Sequence, residues 1–154
     1  MVGQGTRFSV FLPLADQEVA APTDRPDRID LRGKERVLVV DDEVDITDVL
    51  SIGLERLGYE VAAVNDPAEA LAVFCEAPAA WDAVVTDQLM PGMHGLVLAG
   101  KLKSLRPNLI VILCTGLDDG MVDRAAKATG ADAFFAKPVE PEQIAATIRD
   151  LARQ

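Results

Sequence analysis

Five short apolar runs, each followed by a segment of helical periodicity, restrict most strongly how this chain can fold. The runs cover residues 37–40, 61–64, 83–85, 109–114 and 131–135. Apolar runs this short are typical of strands buried on both faces of a parallel sheet. The alternation therefore predicts an α/β fold, a doubly wound five-stranded parallel sheet with five helices and right-handed crossovers.

The segments between the runs have apolar residues at helical spacing, which predicts one buried face for each helix. These faces carry Ile46, Leu50, Leu54 and Leu57; Ala68, Leu71, Ala72 and Cys75; Leu98, Ala99, Leu102 and Leu105; a weaker set of Met121, Val122, Ala125 and Ala128; and Ile144, Ile148 and Leu151. Asp66 followed by Pro67 predicts the start of the second helix, because Asp caps a helix and Pro suits its first turn.

The sequence before residue 34 differs from the rest. Residues 1–14 alternate like a strand, whereas residues 15–33 contain Pro22 and Pro26 and show no sustained period, as expected of a linker. We therefore expect the α/β domain to occupy residues 34–154.

Composition and charge exclude several kinds of partner. The net charge of −10 argues against nucleic acid or an anionic membrane surface as the direct partner. Cys75 and Cys114 lack a CxxC spacing and favour reduced, structural cysteines in a cytoplasmic protein. We expect no membrane span and no secretory signal.

Polar side chains follow four of the apolar runs at the point where each run ends. They are Asp41 and Asp42, Asp87, Thr115, and Lys137. The carboxyl ends of parallel strands share one edge of the sheet, where sites of such folds lie. Converging carboxylates repel one another, so we expect a bound hard cation such as Mg²⁺. A lysine and a threonine beside that cation would bind a dianionic tetrahedral group.

Each of these residues also has a purely structural interpretation. A strand-end Asp often belongs to a turn or caps a helix, and a Lys-Pro pair often marks a surface turn. Their joint occurrence after the right strands favours a site. Since no histidine, cysteine or glycine-rich loop competes there, a strand-end carboxylate is the expected nucleophile.

Four motifs resemble the receiver domains of bacterial response regulators. They are VVDDE at residues 39–43, TDQLMPGMHG at 86–95, CTG at 114–116 and FFAKP at 134–138. The resemblance covers about residues 34–154. It implies a CheY-like, flavodoxin-like sheet with strand order 2-1-3-4-5.

The resemblance also implies a role for each acid. Asp87 would be the phosphoacceptor. Asp42 and Asp87 would bind Mg²⁺ directly, together with the backbone carbonyl of Leu89, and Asp41 would bind it through water. No other cofactor is implied.

The remaining motif residues have implied roles in gripping and switching. Thr115 and Lys137 would hold the phosphoryl oxygens, and Thr115 with Phe134 would form the switch. His94 departs from the acidic or amide residue frequent at its position, and we expect it to be neutral in function.

The function implied is that of a phosphoacceptor in a two-component phosphorelay, which takes its phosphoryl group from a phosphohistidine. It would then switch the surface of the fourth helix, fifth strand and fifth helix, or pass the group on. Its partners would be a histidine kinase or a histidine-phosphotransfer protein, with a weak homodimer left open. The fragment would not itself be an enzyme, and with no output domain after Gln154 we expect the signal to leave by transfer or docking.

The amino-terminal strip resembles the closing strands of a histidine-kinase ATPase domain. The resemblance lies in GQGTRF at residues 3–8 and in Leu12-Pro13. The asparagine and glycine boxes that hold ATP are not found, and an ordinary β-hairpin arm is the alternative. The strip implies that the receiver follows the catalytic domain of a hybrid sensor kinase, whose membrane anchoring stays open.

Two rival functions stay open at this point. A Mg²⁺-dependent phosphohydrolase that forms an aspartyl-phosphate would need a second acid and a substrate cap, and we find no cap insertion. An interaction module that is never phosphorylated usually lacks the Asp or the Lys, and both are present.

Overall fold

A computed structural model of the chain describes residues 30–116 and 130–153. The strip at residues 1–14, most of the linker and the predicted fourth helix at residues 121–128 lie outside the described residues.

The described residues form an alternating α/β structure. In chain order the elements are β1 (Arg36–Val40), α1 (Val44–Arg56), β2 (Glu60–Val64), α2 (Pro67–Glu76), a short 3₁₀ turn (Pro78–Ala80), β3 (Ala83–Asp87), α3 (Gly95–Leu105), β4 (Ile110–Thr115), β5 (Ala133–Ala136) and α4 (Pro141–Leu151). All five strands are parallel and follow the order β2-β1-β3-β4-β5. The predicted fold and strand order are confirmed, and α4 is the fifth helix of the prediction.

Alternate residues of each strand pack on opposite faces of the sheet, which gives two apolar layers. One layer joins Leu38 and Val84 to the helices α2 and α3, chiefly through Phe74, Leu98 and Leu102. The other layer joins Val37, Val39 and Val85 to α1 and α4, chiefly through Leu50, Leu54, Ile144 and Ile148. Strands covered on both faces explain why the runs have no polar alternation.

The predicted buried face of α2 is wrong. The buried residues are Pro67, Ala70 and Phe74, whereas Ala68, Ala72 and Cys75 are exposed and Leu71 is only partly buried. This helix is apolar on several faces, and the sheet buries the face with the largest side chain, Phe74.

The prediction for α3 is wrong only at Leu105, which is 51% exposed at the helix end. The predicted cap of α2 is confirmed, because Asp66 Oδ1 accepts hydrogen bonds from the N–H groups of Ala68 and Glu69 at 2.8 and 2.9 Å.

The segment just before β1 packs on the body of the domain. The Leu31 side chain contacts the apolar layer under α1 and α4. The Gly33 N–H donates to the carbonyl of Leu57 at 3.1 Å, and Arg149 Nη1 of α4 donates to the carbonyl of Arg32 at 2.6 Å. The last residues assigned to the linker are therefore fixed to the amino-terminal edge of the sheet. No helix of the described residues is long and apolar enough to cross a membrane.

The helices α1 and α4 approach closely at Gly53, where an added Cβ would overlap the ring of Pro141. Gly100 in α3 has no atom within 4 Å of an added Cβ.

We expect Gly100→Ala to raise the free energy of unfolding by about 0.5–1 kcal/mol through helix propensity. We expect Gly53→Ala to lower it by about 1–3 kcal/mol through overlap. Urea denaturation measures both, and an equal gain in the two variants would contradict the contact between the helices.

Candidate functional site

The carboxyl edge of the sheet carries the polar residues that the sequence placed there. Asp41 follows β1, Asp87 ends β3, and Thr115 ends β4; they are 2%, 5% and 3% exposed. Lys137 directly follows β5. The peptide between Lys137 and Pro138 is cis. The edge therefore gathers three buried polar residues and the partly buried Lys137 from four neighbouring strands.

The ammonium group of Lys137 joins the two buried acids. Its Nζ lies 2.7 Å from Asp41 Oδ2 and 2.8 Å from Asp87 Oδ1. Glu43 Oε1 is more distant, at 4.0 Å. Burial alone would lower the pKa of Lys137, but the hydrogen bonds and charges of Asp41 and Asp87 outweigh it and raise that pKa. Lys137 therefore stays charged at neutral pH, and it loses that charge only as the pH rises through the elevated pKa, above the usual lysine range.

Asp87 is held by the loop that follows it. Its Oδ2 accepts a hydrogen bond from the Leu89 N–H at 2.6 Å. The first residue of α3, Gly95, lies so close that a Cβ there would overlap the carbonyl oxygen of Asp87. Gln88 fastens this loop to α3, because its carbonyl accepts from the Gly95 N–H at 3.0 Å and its Oε1 from the Leu96 N–H at 3.1 Å.

Asp41 is held by Asn65, which in turn contacts Thr47, and the sequence pattern did not single out either residue. Asn65 Nδ2 donates to the carbonyl of Asp41 at 2.7 Å and to Thr47 Oγ1 at 3.1 Å. The Asp41 carboxylate itself accepts from the Glu43 N–H at 3.0 Å. The signal was present, because Asn65 directly follows the second apolar run, as the other site residues follow theirs.

The other predicted site residues lie nearby with different surroundings. Asp42 is exposed, and its side chain makes no hydrogen bond or ion pair within residues 30–116 and 130–153. Phe134 is half-buried on the edge strand β5, in register with Leu113. His94 is exposed at the start of α3.

The donor set suits a hard cation that keeps part of its water. Among the described residues, no group of three or more His, Cys, Asp or Glu side chains forms a ready cage for a metal. Two buried carboxylates nevertheless share a single ammonium, so the edge has an excess of negative charge. Mg²⁺ commonly binds through one or two carboxylates and several waters, so the residues present fit it.

The chain is similar to proteins of one family. The model of the response regulator receiver domain matches residues 37–149. The probable transcriptional regulator ycf27 of Cyanophora paradoxa is 37% identical over 79% of this chain and 49% of its own length. The sensor kinase CckA of Brucella abortus is 32% identical over 97% of this chain but only 17% of its own length.

Solved structures agree with this assignment. A receiver domain from Clostridium thermocellum superposes with a TM-score of 0.73 at 30% identity, covering 77% of this chain and 94% of that one. The chemotaxis protein CheY4 of Vibrio cholerae gives 0.70 at 28% identity, with 77% and 99% covered. The chain therefore belongs to the receiver domains of two-component signalling. It spans about half the length or less of the curated relatives named above.

The two cysteines differ in burial. Burial raises the pKa of Cys114 to about 12; Lys137 opposes this rise, and Asp87 and Asp41 add to it. Cys75 is exposed.

Since the thiolate is the reactive form, we expect iodoacetamide at about pH 8 to alkylate folded protein at Cys75 alone. Intact-mass measurement should show no label on folded Cys75→Ser. The same variant should take one label, at Cys114, when it is unfolded. Labelling of folded Cys75→Ser would contradict the burial of Cys114.

Proposed function

We propose that this receiver accepts a phosphoryl group on Asp87 from a phosphohistidine. The observation that carries the proposal is the buried pair of Asp41 and Asp87 joined by Lys137 at the carboxyl edge. A carboxylate oxygen of Asp87 attacks phosphorus in line. The P–O bond forms as the P–N bond breaks, and the imidazole leaves with the bonding pair.

The contacts of Asp87 distinguish its two oxygens. Oδ2 is held by a backbone N–H of Leu89, which is part of the loop. Oδ1 contacts the ammonium of Lys137, which is carried on a flexible four-carbon stem. We therefore assign Oδ1 as the attacking atom. In this assignment Lys137 moves from Asp87 to the incoming phosphoryl oxygens, where Thr115 is its partner.

We assign the cation to the acids of the same edge. Asp42 and Asp87 would hold Mg²⁺ with the backbone carbonyl of Leu89, and Asp41 would contact it through water. When bound, the metal offsets the negative charge of the acids and of the phosphoryl group. Asp42 is exposed and has no competing side-chain partner in the described part of the chain, so it is available as a ligand.

The proposal is tested first at the nucleophile. Wild-type protein treated with acetyl phosphate and Mg²⁺ should gain the mass of one phosphoryl group. Asp87→Asn should gain none, because an amide oxygen is a poor nucleophile of nearly the same shape. Asp45→Asn, an exposed acid at the start of α1, is the matched control and should behave as wild type. An unlabelled wild type would support the interaction module, and labelling of Asp87→Asn would move the acceptor elsewhere.

A second test concerns the metal. Mg²⁺ at ten times its dissociation constant should stabilise the folded protein by about 1.4 kcal/mol, measured as a rise in the melting temperature. Asp42→Ala should lose most of this rise. Asp48→Ala removes an exposed acid farther along α1 and should keep it. If both variants retain the full rise, the cation binds at another place.

We propose that the phosphorylated state is transmitted through Thr115 and Phe134. Movement of Thr115 toward the phosphoryl group would free space for the half-buried Phe134 on β5. The surface so changed would include β5, α4 and the predicted fourth helix. A histidine kinase or a histidine-phosphotransfer protein is the expected partner.

We also propose that the receiver belongs to a hybrid sensor kinase. The match to CckA covers 97% of this chain, so the match must include most of residues 1–29. The match to ycf27 covers 79%. In this proposal residues 1–14 close a kinase ATPase domain, residues 15–33 are a linker and residues 34–154 are a cytoplasmic receiver. The parent reading frame upstream of Met1 tests it, since it must encode the asparagine and glycine boxes of a histidine kinase.

A further inference from the structure

Asn65, directly after β2, links that strand to the turn that carries both aspartates of the first motif. Its side-chain amide donates to the carbonyl oxygen of Asp41 at 2.7 Å. The N–H of Asp41 in turn donates to the carbonyl of Val64 at 3.3 Å. Asp41 is therefore tied to the end of β2 by its own N–H and by its own carbonyl.

The carbonyl of Asp41 belongs to the same rigid peptide plane as the N–H of Asp42. A hydrogen bond that fixes this carbonyl fixes the plane, and with it the direction in which the Asp42 side chain leaves the backbone. Asp42 has no side-chain partner of its own among the described residues. Its placement toward the carboxyl edge therefore depends on the backbone that Asn65 holds.

Thr47 of α1 contacts the side-chain amide of Asn65. Its side chain is only 1% exposed, and its hydroxyl donates its single hydrogen to the carbonyl of Val44 at 2.9 Å. A lone pair of that hydroxyl is left to accept the second N–H of Asn65 at 3.1 Å. The carbonyl of Asp41 can only accept, so the orientation of the Asn65 amide is fixed by its partners.

We propose that Asn65 is a positioning residue for the Mg²⁺ site, which holds the peptide between Asp41 and Asp42 so that Asp42 faces the cation. Thr47 orients Asn65. The inference rests on the proposed function, since it names the residues that prepare the same acidic edge. Asn65 touches neither the metal nor the phosphoryl group in this scheme.

A merely structural role makes a different prediction. Asn65 is exposed, so the loss of its hydrogen bonds would then lower stability without changing the affinity for Mg²⁺. A positioning role instead weakens Mg²⁺ binding and is overcome by excess metal. The two roles separate when metal affinity, metal-free stability and phosphorylation rate are measured on the same variants.

The experiment titrates Mg²⁺ into ¹⁵N-labelled protein and follows the amide signals of the β1–α1 turn. Asn65→Ala should raise the dissociation constant for Mg²⁺ roughly threefold to tenfold, the equivalent of one hydrogen bond. Thr47→Val should raise this dissociation constant less than Asn65→Ala does. Thr47→Ser, which keeps the hydroxyl, should have the wild-type dissociation constant. Asn108→Ala, which removes an exposed amide just before β4 at the opposite edge of the sheet, is the matched control.

Two further readouts complete the design. In EDTA, hydrogen exchange of the Glu43 amide should be faster in Asn65→Ala than in the wild type, because that N–H donates to Asp41 Oδ1 in the same turn. With acetyl phosphate, its phosphorylation rate should fall at low Mg²⁺ and return to the wild-type value at saturating Mg²⁺.

The outcomes separate this inference from the proposed function. If the wild type binds Mg²⁺ and Asn65→Ala binds it with equal affinity, the inference is overturned and the proposed function is not. Lower metal-free stability with unchanged affinity would overturn the inference as well. A wild type that shows no Mg²⁺ binding at this edge would instead overturn the proposed function together with the inference.

Discussion

Two buried carboxylates that share one ammonium are the constraint on which the rest of the structure depends. Asp41 and Asp87 come from the adjacent strands β1 and β3, whereas Lys137 follows β5, beyond β4. The lysine stem must therefore pass the end of β4 to reach both acids. The observed strand order brings the three groups together, so the topology of the sheet determines the chemistry of its edge.

This arrangement is electrostatically incomplete, and that is what makes it useful. Buried charges are stable when they are fully paired, but here one cation serves two anions while Asp42 lies beside them in solvent. A site with unmet charge responds to whatever ion or anionic group reaches it. The surrounding loops are well bonded through Gln88 and Asn65, so the backbone that carries Asp41 and Asp87 is held in place.

The fold and most of the site could be predicted because both follow from the same pattern. Strands buried on two faces give apolar runs, and the residues after those runs must meet at one edge. The buried face of α2 could not be predicted, because several of its faces are apolar and only packing selects Phe74. The role of Asn65 was missed, because an amide before the Asp66 cap is equally well explained as part of a helix start. The bridging position of Lys137 depends on side-chain conformation, which a one-dimensional pattern does not contain.

The segment at residues 30–33 has a consequence for how the domain is attached. It is fixed by Leu57 and Arg149 at the amino-terminal edge of the sheet, whereas the acids lie at the carboxyl edge. Strands of five residues separate these edges by about 17 Å. Because this attachment point lies away from the acids, a donor linked covalently by a tether at this edge would reach the acids at an effective concentration set by the length of the tether. The carboxyl edge would remain open to a donor from another molecule, and the length of the tether would decide which of the two reacts first.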